Sequence, residues 1–307
     1  MTVAQLQKTS ANEERSVSIL SKVSLLLLGL VFLVVGVIWR IADVFLFNLG
    51  NTWINIMPSK LGPLIILLAV FFFYRKDQLS DILGLSRYKV RSHITVGVLV
   101  FLTLYLVVDI GAAILYATFL DPSYPLDFYI VSANLLWYSF AFFFVNGVFE
   151  ETLFRGLLQN GLKAQFSANK AILLSALIFG VWHIIWPIAN NSSLGEAFGM
   201  MFISAFLGLL FGVYYEKFSS GRTLTGPIVT HTLVNFANES FKLGPDPAVQ
   251  GPDFSFMEPG LMAISLILIL FLFSSFILLT WRYRIEDAEH HWERLKQRAT
   301  SNGGHST

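Results

Sequence analysis

The chain has 307 residues and a net charge of +1, because 21 Lys and Arg nearly balance 20 Asp and Glu. Hydrophobic residues make up 55% of it and charged residues 13%, whereas soluble globular domains carry about 25% charged residues. This composition excludes a water-soluble fold, and the near-neutral charge gives no sign of a nucleic-acid partner. The absence of cysteine excludes disulfides, thiol nucleophiles and thiolate metal sites.

The chain begins with a polar segment, residues 1–22, which contains Glu13 and Glu14 and lacks the pattern of a cleaved signal peptide. Eight apolar segments follow, and an α-helix needs about 20 such residues to cross a bilayer. These segments are residues 23–39, 58–74, 94–120, 128–149, 171–188, 197–215, 224–241 and 261–281. Each is predicted to be a transmembrane helix, because a backbone in lipid must satisfy its own hydrogen bonds.

The basic residues predict the orientation of these helices. If the chain crosses the membrane eight times, 18 of its 21 Lys and Arg fall on one side, and only Arg40, Lys60 and Lys242 fall on the other. Basic residues concentrate in cytoplasmic loops, so this distribution places both termini in the cytosol.

The predicted fold class is therefore all-α, a polytopic integral membrane protein of about eight transmembrane helices. We expect a cytosolic N-terminal segment (residues 1–22), one transmembrane domain (residues 23–281) and a charged cytosolic tail (residues 282–307). The tail contains the pattern IEDAEHHWERLKQR, which is typical of an amphipathic helix. The predicted location is the cell (cytoplasmic) membrane, with the lipid bilayer as partner, and no pattern indicates an oligomeric state.

A first group of polar residues interrupts the apolar pattern in FEETLFRGLL, residues 149–158. Glu151 and Arg155 are four residues apart on a helix, with the acid first, which is the favourable order for an ion pair. Glu150 points about 100° away from Glu151, so Arg155 leaves it without a counter-ion and available as a general base. The alternative for Glu151 and Arg155 is an interfacial helix whose charges face the cytosol.

Two further groups lie within predicted spans. His183 ends the sequence FGVWH, and alone it is more often a hydrogen-bonded structural histidine than a catalyst. His231 and Asn235 are four residues apart in HTLVN and share one helical face. They can stabilise negative charge on a substrate oxygen, and the alternative role for such a pair is hydrogen bonding between helices.

Taken together, the three groups predict a hydrolytic site, since ionisable residues inside a membrane are expensive and usually functional. A carboxylate and an imidazole can activate water, and a pair of donors can stabilise a tetrahedral oxyanion. The chain lacks both a serine nucleophile elbow and an HExxH motif.

These residues resemble a known family. EETLFR resembles the EExxxR motif, FGVWH the FxxxH motif and HTLVN the HxxxN motif of the CAAX-processing and bacteriocin-processing (CPBP, or ABI) intramembrane endopeptidases, to which the prenyl-protein CAAX protease belongs. The three motifs occur in order on separate predicted spans. The resemblance covers a motif core at residues 128–241.

The resemblance implies a role for each residue. Glu150 activates water together with His183, while His231 and Asn235 form the oxyanion hole. Glu151, Arg155 and Phe179 support the site. The implied activity is cleavage of a peptide or membrane-protein substrate in or near the membrane, including CAAX-type C-terminal processing.

Two mechanisms remain open at this point. The preferred one needs no cofactor. The alternative is a metalloprotease in which Glu150, His183 and His231 form a His₂Glu zinc set, but that set leaves Asn235 and Glu151 without assigned roles.

The depth of Glu150 is a further expectation. Hydropathy ends span four at Glu150, yet this residue must meet histidines that lie farther inside their own spans. We expect its helix to continue to about Leu162 inside the bundle, around a water-filled cavity open to the cytosol.

A non-enzymatic protein is the alternative function. The same buried residues could line an ion or proton path of a transporter, or belong to an immunity or scaffold factor. Asp109 in span three fits a proton relay slightly better than it fits a protease, and a hydrogen-bonded acid between helices is the more ordinary role for it.

Overall fold

The structure is a computed structural model that describes residues 23–47, 57–185, 187, 193–247 and 258–303. The predicted N-terminal segment, residues 1–22, lies outside the described residues. Most of the described chain is helical. Its helices are α1 (Leu25–Ile41), α2 (Met57–Tyr74), α3 (Leu79–Ile82), α4 (Val90–Phe119), α5 (residues 136–163), α6 (Ala168–His183), α7 (Leu194–Phe218), α8 (Thr225–Ser240), α9 (Pro259–Arg282) and α10 (Ile285–Gly303).

Among the described residues, four helices are long and apolar enough to cross a membrane: α2, α4, α7 and α9. Only 22% to 44% of the most apolar stretch of each is buried within the protein. Helices that are apolar all round, yet mostly unburied, require an apolar solvent. By length and composition these helices therefore belong in a lipid bilayer, and the chain is an integral membrane protein.

Each of the eight predicted segments overlaps one helix. Helices α1 and α6 are apolar but shorter than the four long helices. Helices α5 and α8 carry the polar residues of two of the three motifs, which lowers their mean hydropathy. Eight crossings and the orientation of the termini therefore stay predictions.

A two-stranded antiparallel ribbon corrects the predicted ends of two spans. Strand β1 (Phe128–Ile130) pairs with β2 (Phe241–Leu243). Span four was expected to begin at residue 128, but its helix begins at Leu136, and the helix of span seven ends at Ser240. The apolar residues of these strands form backbone hydrogen bonds with each other, which a hydropathy pattern does not distinguish from helix.

Helix α5 continues past its charged residues, as expected. It consists of an α-helix (Leu136–Glu151), a π-helical segment (Thr152–Gln159) and a final α-helical turn (Asn160–Lys163). Glu150 lies 14 residues after its first residue and 13 before its last, about 20 Å from either end at ~1.5 Å per residue. The carboxylate is therefore at mid-helix, and the charged motif does not mark a loop.

Small residues bring α6 and α7 together behind the motifs. A Cβ added at Gly180 would lie 2.6 Å from the carbonyl oxygen of Met201, and one at Gly208 would lie 3.1 Å from the Phe179 ring. Close approach of helices at small residues is the usual way in which membrane helices pack. This packing fixes the position of Phe179, whose ring lies among the site residues.

Candidate active site

Glu150 is the centre of the candidate site. Its side chain is 2% exposed, at the end of the regular α-helical part of α5 and just before the π-helical segment. Such π-helical segments are frequent at functional sites, because they change which side chains share a helical face. Here the following residues, Glu151 and Arg155, remain close enough for an ion pair of 3.0 Å.

His183 approaches Glu150 from the end of α6. Its Nδ1 is 2.8 Å from the carbonyl oxygen of Phe179, one turn earlier. A carbonyl oxygen only accepts, so Nδ1 carries a proton. In the neutral imidazole, Nε2 is then an acceptor, and it lies 3.8 Å from Oε2 of Glu150.

His231 approaches from α8 and is 2% exposed. Its Nδ1 is 2.8 Å from Oε1 of Glu151, and Arg155 donates to the same oxygen at 3.0 Å. Arg155 also donates to the carbonyl oxygen of Gly208 at 3.0 Å, and its guanidinium lies 4.4 Å from the centroid of the Phe179 ring. The Glu151 carboxylate therefore holds both groups, and it leaves Nε2 of His231 facing Glu150.

The two imidazoles and the Glu150 carboxylate converge on one point. Nε2 of His231 is 3.6 Å from Oε2 of Glu150, close to the 3.8 Å for His183. Among the described residues, Oε2 of Glu150 is buried and has no hydrogen-bond partner. Three facing acceptors of this kind require a donor between them, and one water molecule supplies two hydrogens.

Of the remaining predicted residues, Asn235 and Phe179 lie near Glu150, whereas Asp109 does not. Asn235 follows His231 by one turn of α8 and is half-buried, and within the described part of the chain its amide makes no hydrogen bond. The Phe179 ring centroid is 4.4 Å from that of His183 and 6.0 Å from that of His231. Asp109 lies in α4 with an exposed side chain and makes none of the contacts around Glu150.

Sequence reasoning missed Lys60. Its ammonium is 2.6 Å from Oε1 of Glu150, so the expectation that Glu150 has no counter-ion is wrong. Trp182 also donates to Oε1, through Nε1 at 3.3 Å. Lys60 is 90 positions from Glu150 in the chain and was assigned to a span end, where lysines ordinarily reach for water.

The site is closed toward the end of α5 that was predicted to be cytosolic. Five side chains beyond Glu150 in that direction are completely buried, and they are Leu153, Phe154, Leu157, Leu158 and Gln159. The partly exposed members include His183, at 24%, and Lys60, at 12%. They lie at the helix ends that the predicted orientation places on the opposite side, which differs from the expected cavity open to the cytosol.

The alternative zinc set can be compared with this geometry. Both histidines present Nε2 and hold Nδ1 by an outer partner, as metal-binding histidines do. However, the described residues include no group of three or more His, Asp or Glu arranged to hold a metal ion. The Lys60 ammonium bound to the Glu150 carboxylate would also repel a dication there.

The comparison with known families agrees with the three motifs. Residues 132–237 match the family model described as "Type II CAAX prenyl endopeptidase Rce1-like". This part of the chain is similar to an Rce1-like domain. The match confirms the resemblance to the CPBP family, and this family implies an intramembrane endopeptidase. No curated protein matches the chain.

The matched range of the Rce1-like domain contains every residue of the three motifs, from Glu150 to Asn235. It runs from just before α5 into α8, and it therefore includes the helices that carry the two imidazoles. Lys60 lies outside it, on α2, so this part of the site comes from a helix that the family comparison does not cover.

Proposed function

We propose that the protein is an intramembrane endopeptidase in which Glu150 and His183 activate the water that cleaves a peptide bond. The observation that carries this proposal is the buried Oε2 of Glu150, which has no hydrogen-bond partner in the described part of the chain and faces Nε2 of His183 and Nε2 of His231. The oxygen is 3.8 Å and 3.6 Å from these nitrogens, so a water between the three atoms would be a common hydrogen-bond partner.

The hydrolysis uses this water as nucleophile. The water oxygen bonds to the scissile carbonyl carbon while one of its protons passes to Oε2 of Glu150. The carbonyl oxygen becomes an oxyanion. When the carbon–nitrogen bond breaks, the leaving amine takes the proton from Glu150, which restores the carboxylate.

Asn235 and His231 are the proposed oxyanion donors. The amide of Asn235 donates in its neutral form. His231 already donates through Nδ1 to Glu151, so its Nε2 donates to the oxyanion only while that nitrogen also carries a proton. Preorganised donors of this kind contribute about 10²- to 10³-fold to the rate of acyl transfer.

No cofactor is part of the proposal. The repulsion between the Lys60 ammonium and a dication supports the metal-free mechanism over the zinc alternative. Inhibition by a chelator, reversed by Zn²⁺, would restore that alternative.

The proposed topology has eight transmembrane helices with both termini cytosolic, in the cell membrane. Each predicted segment overlaps a helix, and this overlap supports the number. Arg155 no longer supports the orientation, because it is buried in α5 and is not in a loop. The proposed domain organisation has three parts: an N-terminal segment of residues 1–22, a transmembrane domain of residues 23–281 that contains the motif core, and a tail of residues 282–307.

The proposed substrate is a peptide or membrane protein, and CAAX-type C-terminal processing is its most specific form. The family model is named for CAAX prenyl endopeptidases, and this name supports the choice. A transport function is supported less well, because completely buried side chains fill the bundle between Glu150 and the end of α5.

Purified protein in detergent tests the proposal. The probes are a fluorescence-quenched peptide that ends in a farnesylated CaaX sequence, the same peptide without the lipid, and a quenched transmembrane peptide. Cleavage of any probe by the wild type, with loss of about 10²-fold or more in Glu150→Gln and His183→Ala, is the expected result. The control is Glu216→Gln, which changes the same side chain in an ion pair with Lys163.

Cleavage that survives in both variants while they remain folded would remove the enzyme proposal. Cleavage of the farnesylated peptide alone would select the prenylated substrate, and cleavage of the transmembrane peptide alone would reject it.

A further inference from the structure

Lys60 is a charged residue within a helix that is otherwise suited to lipid. It lies in the first turn of α2, which is one of the four candidate spans. A cation is unfavourable at the N-terminus of a helix, where the helix dipole is positive, and a charge within a span is costly. The position of Lys60 is therefore explained by a partner on another helix.

That partner is Glu150. The ammonium is 2.6 Å from Oε1, and the Lys60 side chain is only 12% exposed. Its Nζ also lies 5.4 Å from the centroid of the Trp182 ring and 6.0 Å from that of Phe149. The aromatic rings shield the ion pair from solvent and hold the ammonium on one side of the carboxylate.

The two oxygens of Glu150 therefore differ in role. Oε1 accepts from Lys60 and from Trp182. Oε2 has no partner among the described residues and faces the two imidazoles. The two donors hold Oε1 and so prevent the carboxylate from rotating. Oε2 is therefore directed at the position of the proposed water.

Charge balance leads to the same role. The charged and titratable groups that the structure describes around Glu150 are Lys60 on α2, Glu151 and Arg155 on α5, His183 on α6 and His231 on α8. When both imidazoles are neutral, the negative charges of the two carboxylates balance the positive charges of Lys60 and Arg155. Without Lys60 the buried cluster carries one excess negative charge, which a bound proton would neutralise at the expense of the base.

We infer that Lys60 is a positioning residue, which holds Glu150 in the ionised, oriented form that removes a proton from water. This inference rests on the proposed function. It also extends the site beyond the matched domain, since α2 supplies the counter-ion of the proposed base.

Three variants test the inference in kinetics with whichever probe peptide the wild type cleaves. Lys60→Met keeps the length of the side chain and removes the charge, Lys60→Arg keeps the charge, and Lys163→Met removes a lysine from a remote ion pair. In Lys60→Met we expect kcat to fall while KM stays within about twofold, since Lys60 acts on the base. We also expect the acid limb of the rate profile to move upward by about one pH unit, which is roughly tenfold in rate at a fixed pH on that limb.

Lys60→Arg should recover most of the rate, and Lys163→Met should leave both rate and profile unchanged. A Lys60→Met enzyme with lower kcat and an unmoved acid limb would overturn the inference, because loss of packing alone lowers the rate in this way. Full activity in Lys60→Met would also overturn it.

A double-mutant cycle separates this inference from the proposed function. The unfolding temperatures of wild type, Lys60→Met, Glu150→Gln and the double variant are measured in detergent without substrate. We expect Lys60→Met to lower the unfolding temperature in the wild type by several degrees more than in Glu150→Gln. If the two substitutions are coupled in unfolding temperature but no probe is cleaved, the ion pair stands and only the proposed function is contradicted. If their effects on unfolding temperature are additive, the ion pair itself is rejected.

Discussion

His231 donates through Nδ1 to Oε1 of Glu151 at 2.8 Å, and Arg155 donates to the same oxygen at 3.0 Å. One buried carboxylate thus orients an imidazole of the site and neutralises a guanidinium. Glu151 is 0% exposed and Arg155 is 1% exposed. Since the pair is removed from water, the loss of either partner leaves an uncompensated buried charge.

The first prediction concerns the stability that this carboxylate provides. Glu151→Gln should destabilise the protein by about 3–5 kcal/mol, the usual cost of breaking a buried ion pair. Glu216→Gln makes the same chemical change in a pair whose side chains are 17% and 29% exposed, and it should cost about 0–1 kcal/mol. Thermal unfolding in detergent measures both, and equal losses would contradict the burial argument.

Sequence reasoning located the motif residues because buried charges stand out in an apolar pattern. Glu150, His183 and His231 each belong to a different motif. The structure brings Nε2 of both histidines within 3.8 Å of Oε2 of Glu150. The continuation of α5 to Lys163 could also be predicted, since Leu153, Leu157 and Leu158 extend an apolar surface past the charges.

Sequence reasoning could not predict the contact between Lys60 and Glu150. Hydropathy treats a lysine at the edge of a span as a residue that reaches for water, and only the packing of α2 against α5 shows that it reaches a carboxylate instead. The β1–β2 ribbon was missed for a similar reason, since its apolar residues fit a helical span equally well until their pairing is known.

The second prediction concerns the proposed oxyanion donor on α8. Asn235→Asp replaces an amide donor by an acceptor of nearly the same shape, so kcat should fall by about 10²- to 10³-fold with little change in fold. Asn134→Asp makes the same substitution at an exposed position and should not change kcat. Cleavage kinetics measure the rate, and circular dichroism checks the fold. Retained activity in Asn235→Asp would remove Asn235 from the proposed mechanism.

The third prediction concerns the packing of α6 against α7. A Cβ at Gly180 would lie 2.6 Å from the carbonyl oxygen of Met201 and 2.7 Å from Cβ of Ala205. Gly180→Ala should therefore destabilise the protein by about 1–3 kcal/mol through overpacking. Gly199→Ala is the control, because no atom lies within 4 Å of its added Cβ, and alanine there should stabilise the helix by up to about 1 kcal/mol.

The unfolding temperatures of these two glycine variants should move in opposite directions from the wild type. A Gly180→Ala protein as stable as the wild type would mean that α6 and α7 do not approach as closely as described.

The fourth prediction is a pH dependence of the C-terminal helix. The hydrogen bond from the Tyr88 hydroxyl holds the pKa of Glu286 below its ordinary value of 4.5. The stabilisation of α10 by this contact is therefore present above pH 4.5 and is lost as the pH falls through the lowered pKa. Hydrogen exchange of α10 amides should accelerate at low pH in the wild type, and less so in Tyr88→Phe, which already lacks the contact at neutral pH. Tyr74→Phe, at an exposed tyrosine elsewhere, should behave as the wild type.

The fifth prediction tests which side of the membrane each end of the bundle faces. The chain contains no cysteine, so a single introduced cysteine reports one position without further substitutions. Ser167 and Ser123 are both exposed, the first before α6 and the second between α4 and β1. The proposed topology places Ser167 in the cytosol and Ser123 outside.

In intact cells a membrane-impermeant maleimide should label Ser123→Cys and not Ser167→Cys, and after permeabilisation it should label both. Labelling of Ser167→Cys alone in intact cells would invert the orientation, and equal labelling would contradict the crossings between the two positions. The outcome also fixes which side His183 and Lys60 face, because these partly exposed residues lie at the same end of the bundle as Ser123 in the proposed topology. Under that topology the partly exposed side of the site, at His183 and Lys60, faces the non-cytosolic side, and completely buried side chains lie toward the cytosolic end of α5.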